Sequence, residues 1–310
     1  MNCADLRAFP GQMVNVPHNV AIAAMRLEPL VPETHGLPAV KAWVESGGDV
    51  NGIFDPDAHT GGREGCHPSL RHLEPGGEPL LSLAIGGVEL EGKAIVSRVR
   101  VFRDRRRLEH RLELIRYLLA RGADPNFGKP MYLVAGSWCE EFRLIAGELL
   151  IDAGANLEAA TEHGYTPLAR ALDLYPYNNM EFIRLLLRRG ASLDFPECSE
   201  VLSGVTRNRA EAFMQSQLRW FAFSDGEEDI NRVEERLRLV TAVRAAGSWK
   251  RYCRIPHKSL VVFRSLLARG RARRRSLWDE ATPHFLVRLF DPSLPNGVFW
   301  HALSYWRETG

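Results

Sequence analysis

The stretch His163-Gly-Tyr-Thr-Pro-Leu-Ala-Arg-Ala171, followed by Ile183-Arg-Leu-Leu-Leu-Arg-Arg-Gly190-Ala-Ser-Leu-Asp194, decides the fold. Gly164 permits a tight turn, Thr166 is placed to cap the next helix, and Pro167 stands at its first position, where a missing N–H costs nothing. In the second part, consecutive leucines form the apolar face of a short helix. The glycine that follows them accepts the left-handed conformation that ends a helix. The stretch therefore predicts two short helices connected by turns.

Four segments share the second half of this pattern, a short apolar helix followed by glycine and then Asp, Asn or Glu. They are Val40–Asn51, Ile115–Asn126, Glu148–Glu158 and Ile183–Asp194. Their glycines stand at positions 48, 122, 154 and 190, so the last two intervals are 32 and 36 residues. Beyond the glycine, Asp124 or Asn156 can hydrogen-bond its own backbone and start a turn. A recurrence at this spacing predicts a repeat protein.

These residues resemble the ankyrin repeat. The run Asn156–Ala191 is similar to a nearly complete unit, and Arg121–Asn126 is similar to the junction between units. The resemblance covers roughly residues 37–195. It implies an all-α fold, an α-solenoid of helix–turn–helix units with β-turn fingers and a concave face that binds other proteins.

The sequence also departs from that family. The unit from Asp49 to Ala123 is about twice the usual length, and we expect its extra residues, within 56–106, at Pro56–Gly77 and Gly86–Arg106. Ala169 stands where the family commonly has His. We therefore expect degenerate repeats.

The chain is expected to have three parts. Residues 1–48 form an N-terminal segment and half-repeat cap, residues 49–195 the repeats, and residues 196–310 a degenerate repeat and a basic helical C-terminal region. In the last part we predict helices at Glu211–Phe223 and Ile230–Ala246, and a third that Pro256 opens and that ends at Arg269. Phe299, Leu303 and Trp306 share one helical face and are expected to form a helical C-terminal cap, because an uncovered solenoid end exposes its core.

The composition indicates an ordinary globular protein. Of 310 residues, 45% are apolar and 25% are charged. No apolar run approaches the roughly 20 residues of a membrane span, and the first residues lack the layout of a secretory signal. The five cysteines are scattered without a Cys-x-x-Cys pair, which favours a reducing compartment. We expect a monomer in the cytoplasm or nucleus.

Charge is unevenly distributed along the chain. Residues 231–310 contain 16 Lys and Arg against 6 Asp and Glu, whereas residues 1–230 contain 24 against 32. Arginine runs at 103–107 and 269–275 are candidates for a nuclear-import signal or a phosphate-binding patch. An alternative function is therefore a nucleic-acid-associated or nuclear regulatory protein. A further alternative is a ubiquitin-ligase adaptor that acts through the tail Leu294–Arg307.

Catalytic and metal-binding motifs do not assemble in the sequence. The densest group of metal-ligand types is His59, Glu64, Cys66, His67 and His72. The adjacent Cys66 and His67 have poor ligand spacing, so we interpret this group as a polar surface insertion. The chain has no Gly-x-Ser-x-Gly elbow, phosphate-binding loop or dinucleotide motif. We predict a protein without enzymatic activity, metal or cofactor.

The preferred hypothesis is a protein-interaction scaffold whose partner is unidentified. Stacked repeats create a rigid surface, and large aromatic and Arg side chains are the usual anchors of such surfaces. At the finger tips and first helices of two neighbouring units we predict these partner-binding residues: Phe127, Lys129, Tyr132, Glu162, His163, Tyr165 and Arg170.

Overall fold

The computed structural model describes residues 16–25, 36–58, 64, 77–90, 105–137, 139–161, 164–173, 179–196, 209–221, 227–269, 291, 294–295, 297–299 and 301. This part of the chain is mostly helical, as predicted. Its helices are α1 (His18–Met25), α2 (Gly36–Glu45), α3 (Leu80–Leu90), α4 (Arg105–Ala120), α5 (Pro130–Gly136), α6 (Glu140–Asp152), α7 (Pro167–Asp173), α8 (Met180–Arg189), α9 (Ala210–Phe221), α10 (Glu227–Ala246) and α11 (Trp249–Ala268). Two short strands, β1 (Ile53–Phe54) and β2 (Glu78–Pro79), precede α3.

The start of α7 agrees with its sequence signals. Pro167 is the first helical residue, and the Thr166 hydroxyl accepts a hydrogen bond from the Ala169 N–H at 3.2 Å. Gly164, with φ of 79°, forms the preceding turn. The predicted cap, first residue and turn are therefore confirmed.

The helix endings are also largely as predicted. Gly122, Gly154 and Gly190 adopt φ of 90°, 91° and 100° and end α4, α6 and α8. At the end of α2, however, the left-handed residue is Gly47, with φ of 97°, and the choice of Gly48 was wrong. Gly48 instead lies against the Trp43 ring, with which an added Cβ would overlap. Both glycines are therefore needed at this junction, for different reasons.

Two compact units divide the chain, Met1–Leu237 and Arg238–Gly310. In the first unit, helices pack in consecutive pairs: α1 with α2, α3 with α4, α5 with α6, and α7 with α8. First members of the pairs also pack on one another in chain order, from α1 through α3, α5 and α7 to α9. Second members do the same, from α2 through α4 and α6 to α8. We call these two series row A and row B.

The core of the first unit lies between the rows. Leu118 and Leu186, from the predicted apolar faces of α4 and α8, are completely buried. Phe142 of α6 and Phe182 of α8 are buried as well. Each such side chain contributes about 1.5–3 kcal/mol through removal from water, so the short helices depend on this packing for their stability.

The two short strands flank the first stretch of the predicted insertion, Pro56–Gly77, and pair with each other. Ile53 faces Pro79 and Phe54 faces Glu78 in an antiparallel pair, and α3 begins immediately afterwards at Leu80. The two ends of the segment between the strands therefore meet. Most of the rest of the predicted insertion lies outside the described residues.

The second unit contains the end of α10 and all of α11. The prediction that Pro256 opens a helix was wrong, because α11 begins at Trp249 and continues through Pro256. The Ser248 hydroxyl accepts a hydrogen bond from the Arg251 N–H at 3.3 Å and so supplies the N-terminal cap. Of the predicted capping residues, Phe299 is buried, whereas Leu303 and Trp306 lie outside the described residues.

Within the described ranges, no helix is both long enough and apolar enough to cross a membrane.

Candidate protein-binding surface

Five of the seven predicted partner-binding residues can be located. Phe127 and Lys129 lie in the turn before α5, and Tyr132 lies in that helix. Tyr165 directly precedes the Thr166 cap of α7, and Arg170 lies in α7. All five are half-buried and belong to row A helices or to the turns before them. Glu162 and His163 lie outside the described residues.

Tyr132 and Arg170 lie next to each other across row A. The guanidinium carbon of Arg170 lies 5.6 Å from the centroid of the Tyr132 ring, within the range of a cation–π interaction. This contact follows from the packing of α5 on α7. The fold therefore places a partly exposed aromatic ring and a partly exposed cation side by side.

Tyr165 has a packing role as well as partial exposure. Its ring meets the ring of Phe213 edge to face, with centroids 6.2 Å apart, and Phe213 meets Phe195 in the same way at 6.3 Å. Phe195 and Phe213 are buried. Tyr165 is also held by its backbone, because its N–H donates to the Thr161 hydroxyl at 3.1 Å. Its removal would disturb the contact with α9.

The turn before α5 has a strained backbone. Lys129 is in the left-handed region, with φ of 55° and ψ of 51°, and is the N-cap of α5 without a side-chain capping bond. Among the described residues it is the single non-glycine residue with positive φ. The neighbouring Gly128 carbonyl accepts a hydrogen bond from the Ser82 hydroxyl at 3.2 Å, which fixes the turn against α3. Such strain costs about 1 kcal/mol or more and concentrates at functional positions.

Row B carries exposed ion pairs between its own helices. Lys41 and Arg121 connect α2 and α4, and Arg188 and Arg189 connect α6 and α8. The pairs are Lys41–Glu113 at 3.2 Å, Arg121–Glu45 at 3.4 Å, Arg188–Glu148 at 3.7 Å and Arg189–Asp152 at 2.8 Å. Exposed pairs contribute up to about 1 kcal/mol each. These charges on row B therefore have opposite charges beside them within the chain.

Buried arginines are the feature of this surface's supporting helices that sequence reasoning missed. Arg111 donates to the carbonyls of Ala84 and Met25, the latter at 2.9 Å, Arg143 donates to the carbonyl of Ser137, and Arg236 donates to that of Leu172 at 3.2 Å. Each acceptor belongs to a row A helix or its C-cap. Met25, Ser137 and Leu172 lie at helix C-termini, where carbonyls lack intrahelical partners and favour positive charge. Ala84 lies within α3. An arginine flanked by apolar residues, as between Phe142 and Leu144, is the sequence signal that could have found them.

Burial changes the proton affinity of two of these groups. Desolvation lowers the pKa of Arg143 and, together with the charges of Arg232 and Arg143, lowers the pKa of Arg236 to about 10. Arg236 therefore remains charged at neutral pH, and both guanidinium groups donate hydrogen bonds to backbone carbonyls of row A.

The described residues contain no group of three or more His, Cys, Asp or Glu side chains that could hold a metal ion. Of the ligand types noted in the sequence, Glu64 is exposed, and His59, Cys66, His67 and His72 lie outside the described residues. No model of a known protein family matches the sequence, and no curated protein is significantly similar to it.

Proposed function

We propose that the first unit is a short solenoid of degenerate ankyrin-type repeats that binds a protein partner through row A and the turns before its helices. The order of packing supports this architecture. Helix–turn–helix units that stack side by side place each unit against its neighbours in the chain. Rows A and B have this order, from α1 to α9 and from α2 to α8.

A ladder of hydrogen bonds between successive helix endings supports the same architecture. In each case a side chain in one turn accepts a hydrogen bond from a backbone N–H just beyond the next junction. The bonds are Asp124 N–H to Asn51 at 2.7 Å, Asn156 N–H to Asn126 at 2.6 Å and Ser192 N–H to Glu158 at 2.7 Å. A bond repeated once per helix pair is expected when the pairs are copies of one unit.

The observation that carries the proposed function is the contact between Tyr132 and Arg170. These side chains come from consecutive row A helices and remain partly exposed. Tyr and Arg are enriched among the residues that contribute most to binding. Because each is already restrained by the other, less side-chain entropy is lost when a partner docks.

The partner surface that fits this pair is a protein surface with an acidic group beside an apolar one. The Arg170 guanidinium can donate to a carboxylate while the Tyr132 ring covers apolar atoms. Lys129, the N-cap residue of α5, adds a second cation three residues before Tyr132 in row A. The left-handed backbone at Lys129 then lowers the stability of the fold and positions the lysine for binding.

Site-specific photo-crosslinking tests this proposal. A photo-reactive phenylalanine analogue is placed at Tyr132 in the full chain, and a matched one at Arg116, an exposed position on α4 in row B. We expect a protein adduct in native lysate from position 132 and none from position 116. Adducts of equal yield at the two positions, or adducts from position 116 alone, would contradict binding through row A.

Affinity measurements then test the residues themselves. With the crosslinked partner purified, Tyr132→Ala and Arg170→Ala should each weaken binding about tenfold or more, and Arg116→Ala should not change it. The melting temperature should stay close to that of the wild type in all three variants. A fall in stability with unchanged affinity would show that the two residues act in packing alone.

A further inference from the structure

The exposed side of α11, in the second unit, has a distinct composition. With 3.6 residues per turn, one arc about 100° wide collects seven side chains. Ser265 is half-buried, and the other six are exposed: Arg251, Arg254, Ile255, Lys258, Val262 and Arg269, the last just beyond the helix end. We call these six exposed side chains the basic face. Arg264, on the opposite side, is buried, stacks on the Phe299 ring at 4.2 Å and donates to the Leu294 carbonyl.

The charge of α11 has one sign. Between Trp249 and Ala268 the sequence contains five Lys and Arg residues and no Asp or Glu. The i,i+3 and i,i+4 ion pairs that neutralise an ordinary surface helix therefore cannot form within it. The basic face is complementary to an acidic surface.

Two aliphatic side chains lie among these cations. Ile255 is 51% exposed and Val262 is 58% exposed. They are seven residues apart, so they stand in line about 10 Å apart along the helix axis. Burial of apolar surface by a partner is favourable in proportion to its area, and this spacing matches the heptad of helix–helix packing.

We propose that the basic face docks an acidic amphipathic helix of a partner protein. Apolar side chains of that helix, at heptad spacing, cover Ile255 and Val262. Its flanking carboxylates pair with Arg251, Arg254, Lys258 and Arg269. This site goes beyond the row A surface and does not depend on it.

Two other anionic partners fit the basic face less well. A nucleic-acid backbone offers phosphates to the cations and no matching apolar surface for two aligned aliphatic side chains. A helix that lies in a membrane interface needs a broad free apolar face. In α11 the side opposite the cations is engaged within the unit through Arg264 and Phe299.

Fluorescence anisotropy with the full chain tests the proposal. The probe is a labelled peptide of three heptads with leucine at positions a and d and glutamate at e and g. A second peptide has the same composition in scrambled order. We expect the patterned peptide to bind at least about tenfold more tightly than the scrambled one, with affinity falling as salt rises.

Variants assign the binding to the basic face. Lys258→Glu should weaken it about fivefold and Val262→Ser about tenfold. Lys250→Glu is the matched control, because Lys250 is an exposed cation of the same helix outside the arc, and it should not change binding. All these side chains are exposed, so the melting temperature should be unchanged.

Three results would overturn the proposal. The first is that the patterned peptide fails to bind, or binds no better than the scrambled one. The second is that Lys250→Glu weakens binding as much as Lys258→Glu. The third is that a 20-base-pair DNA duplex or phosphatidylserine vesicles bind the chain more tightly than the peptide does and lose that binding in Lys258→Glu. The last result would assign the same face to nucleic acid or to a membrane surface.

Discussion

The side chain of Asn126 is bonded to the backbone of Asn156, across two successive helix endings. Its Oδ1 accepts the Asn156 N–H at 2.6 Å, and its Nδ2 donates to the Gly154 carbonyl at 3.3 Å. Asn51 makes the same two bonds, with the Asp124 N–H and the Gly122 carbonyl. The same spacing in space between successive turns is thus kept, although the sequence interval from Gly48 to Gly122 is more than twice that from Gly122 to Gly154. The insertion leaves the junctions in register.

Replacement of Asn126 by alanine should reduce the stability of the chain by about 1–2 kcal/mol. Two hydrogen bonds are lost, each with a net value of about 0.5–1.5 kcal/mol, and solvent exposure lets water replace part of them. The free energy of unfolding is measured by urea denaturation followed by circular dichroism.

Asn126→Asp is the informative control for this prediction. The carboxylate keeps an acceptor for the Asn156 N–H and loses the donor to the Gly154 carbonyl, so its stability should lie between those of the wild type and Asn126→Ala. Equal stability of the wild type and Asn126→Ala would mean that the ladder contributes nothing to holding the turns.

Replacement by alanine should lower the stability of the chain at Gly147 and raise it at Gly86. A Cβ at Gly147 in α6 would lie 2.7 Å from Cε2 of the buried Phe182, whereas one at Gly86 in α3 would meet only Leu133, at 3.9 Å. Alanine gains about 1 kcal/mol in helix propensity at either site, and overpacking costs about 1–3 kcal/mol at the first. We expect Gly147→Ala to destabilise by about 1 kcal/mol and Gly86→Ala to stabilise by up to about 1 kcal/mol.

Thermal denaturation of the two variants measures this difference, and a third variant identifies its cause. Phe182→Leu creates space beside Gly147, so adding Gly147→Ala to Phe182→Leu should cost less than adding it to the wild type. If the cost is the same in both backgrounds, the clash with Phe182 is not the reason.

Local chemistry explains which parts of the fold could be predicted from the sequence. The cap at Thr166, the proline of α7 and the left-handed glycines at 122, 154 and 190 each depend on a few adjacent residues, and all were found. Gly47 was missed because the choice between adjacent glycines depends on the Trp43 ring. The start of α11 was not predicted, because a proline favours the first turn of a helix, whereas Ser248 caps this helix and Pro256 lies inside it.

Features that depend on distant contacts could not be predicted in this way. Arg111, Arg143 and Arg236 read as surface residues by composition, and their burial depends on which helix C-terminus lies opposite. The candidate site shows the same division. Tyr132 and Arg170 were chosen for their residue types and for neighbouring units, but their mutual contact follows from the packing of α5 on α7. Tyr165 was chosen by the same reasoning, and its contact with Phe213 could not be foreseen.

Lys129→Gly separates stability from binding. Glycine removes about 1 kcal/mol of left-handed strain at φ of 55°, and its greater freedom in the unfolded chain offsets about half of that. The variant should therefore be more stable by about 0.5 kcal/mol, as seen in urea denaturation, and should bind the row A partner more weakly. Lys129→Ala is its control, because it removes the cation and keeps the strain. Lower stability of the glycine variant would show that the lysine side chain contributes to the fold.

Cys139 should make stability depend on alkaline pH. Its thiol accepts the Phe142 N–H at 3.5 Å as the cap of α6, and burial raises its pKa above the ordinary value of 9.0. The unfolded chain therefore loses the Cys139 proton at a lower pH than the folded chain. The contribution of the protonated thiol to the free energy of unfolding is complete below pH 9 and is lost as pH rises through the folded pKa. Cys139→Ser and Cys139→Ala should both remove this part of the decline in unfolding free energy as pH rises above about 9.

At neutral pH the two variants should differ, because a serine hydroxyl caps a helix well and alanine cannot. The alanine variant should be less stable than the serine variant by about 1 kcal/mol. Urea titrations at each pH measure both effects, and an undiminished alkaline decline in the two variants would place its origin in other groups.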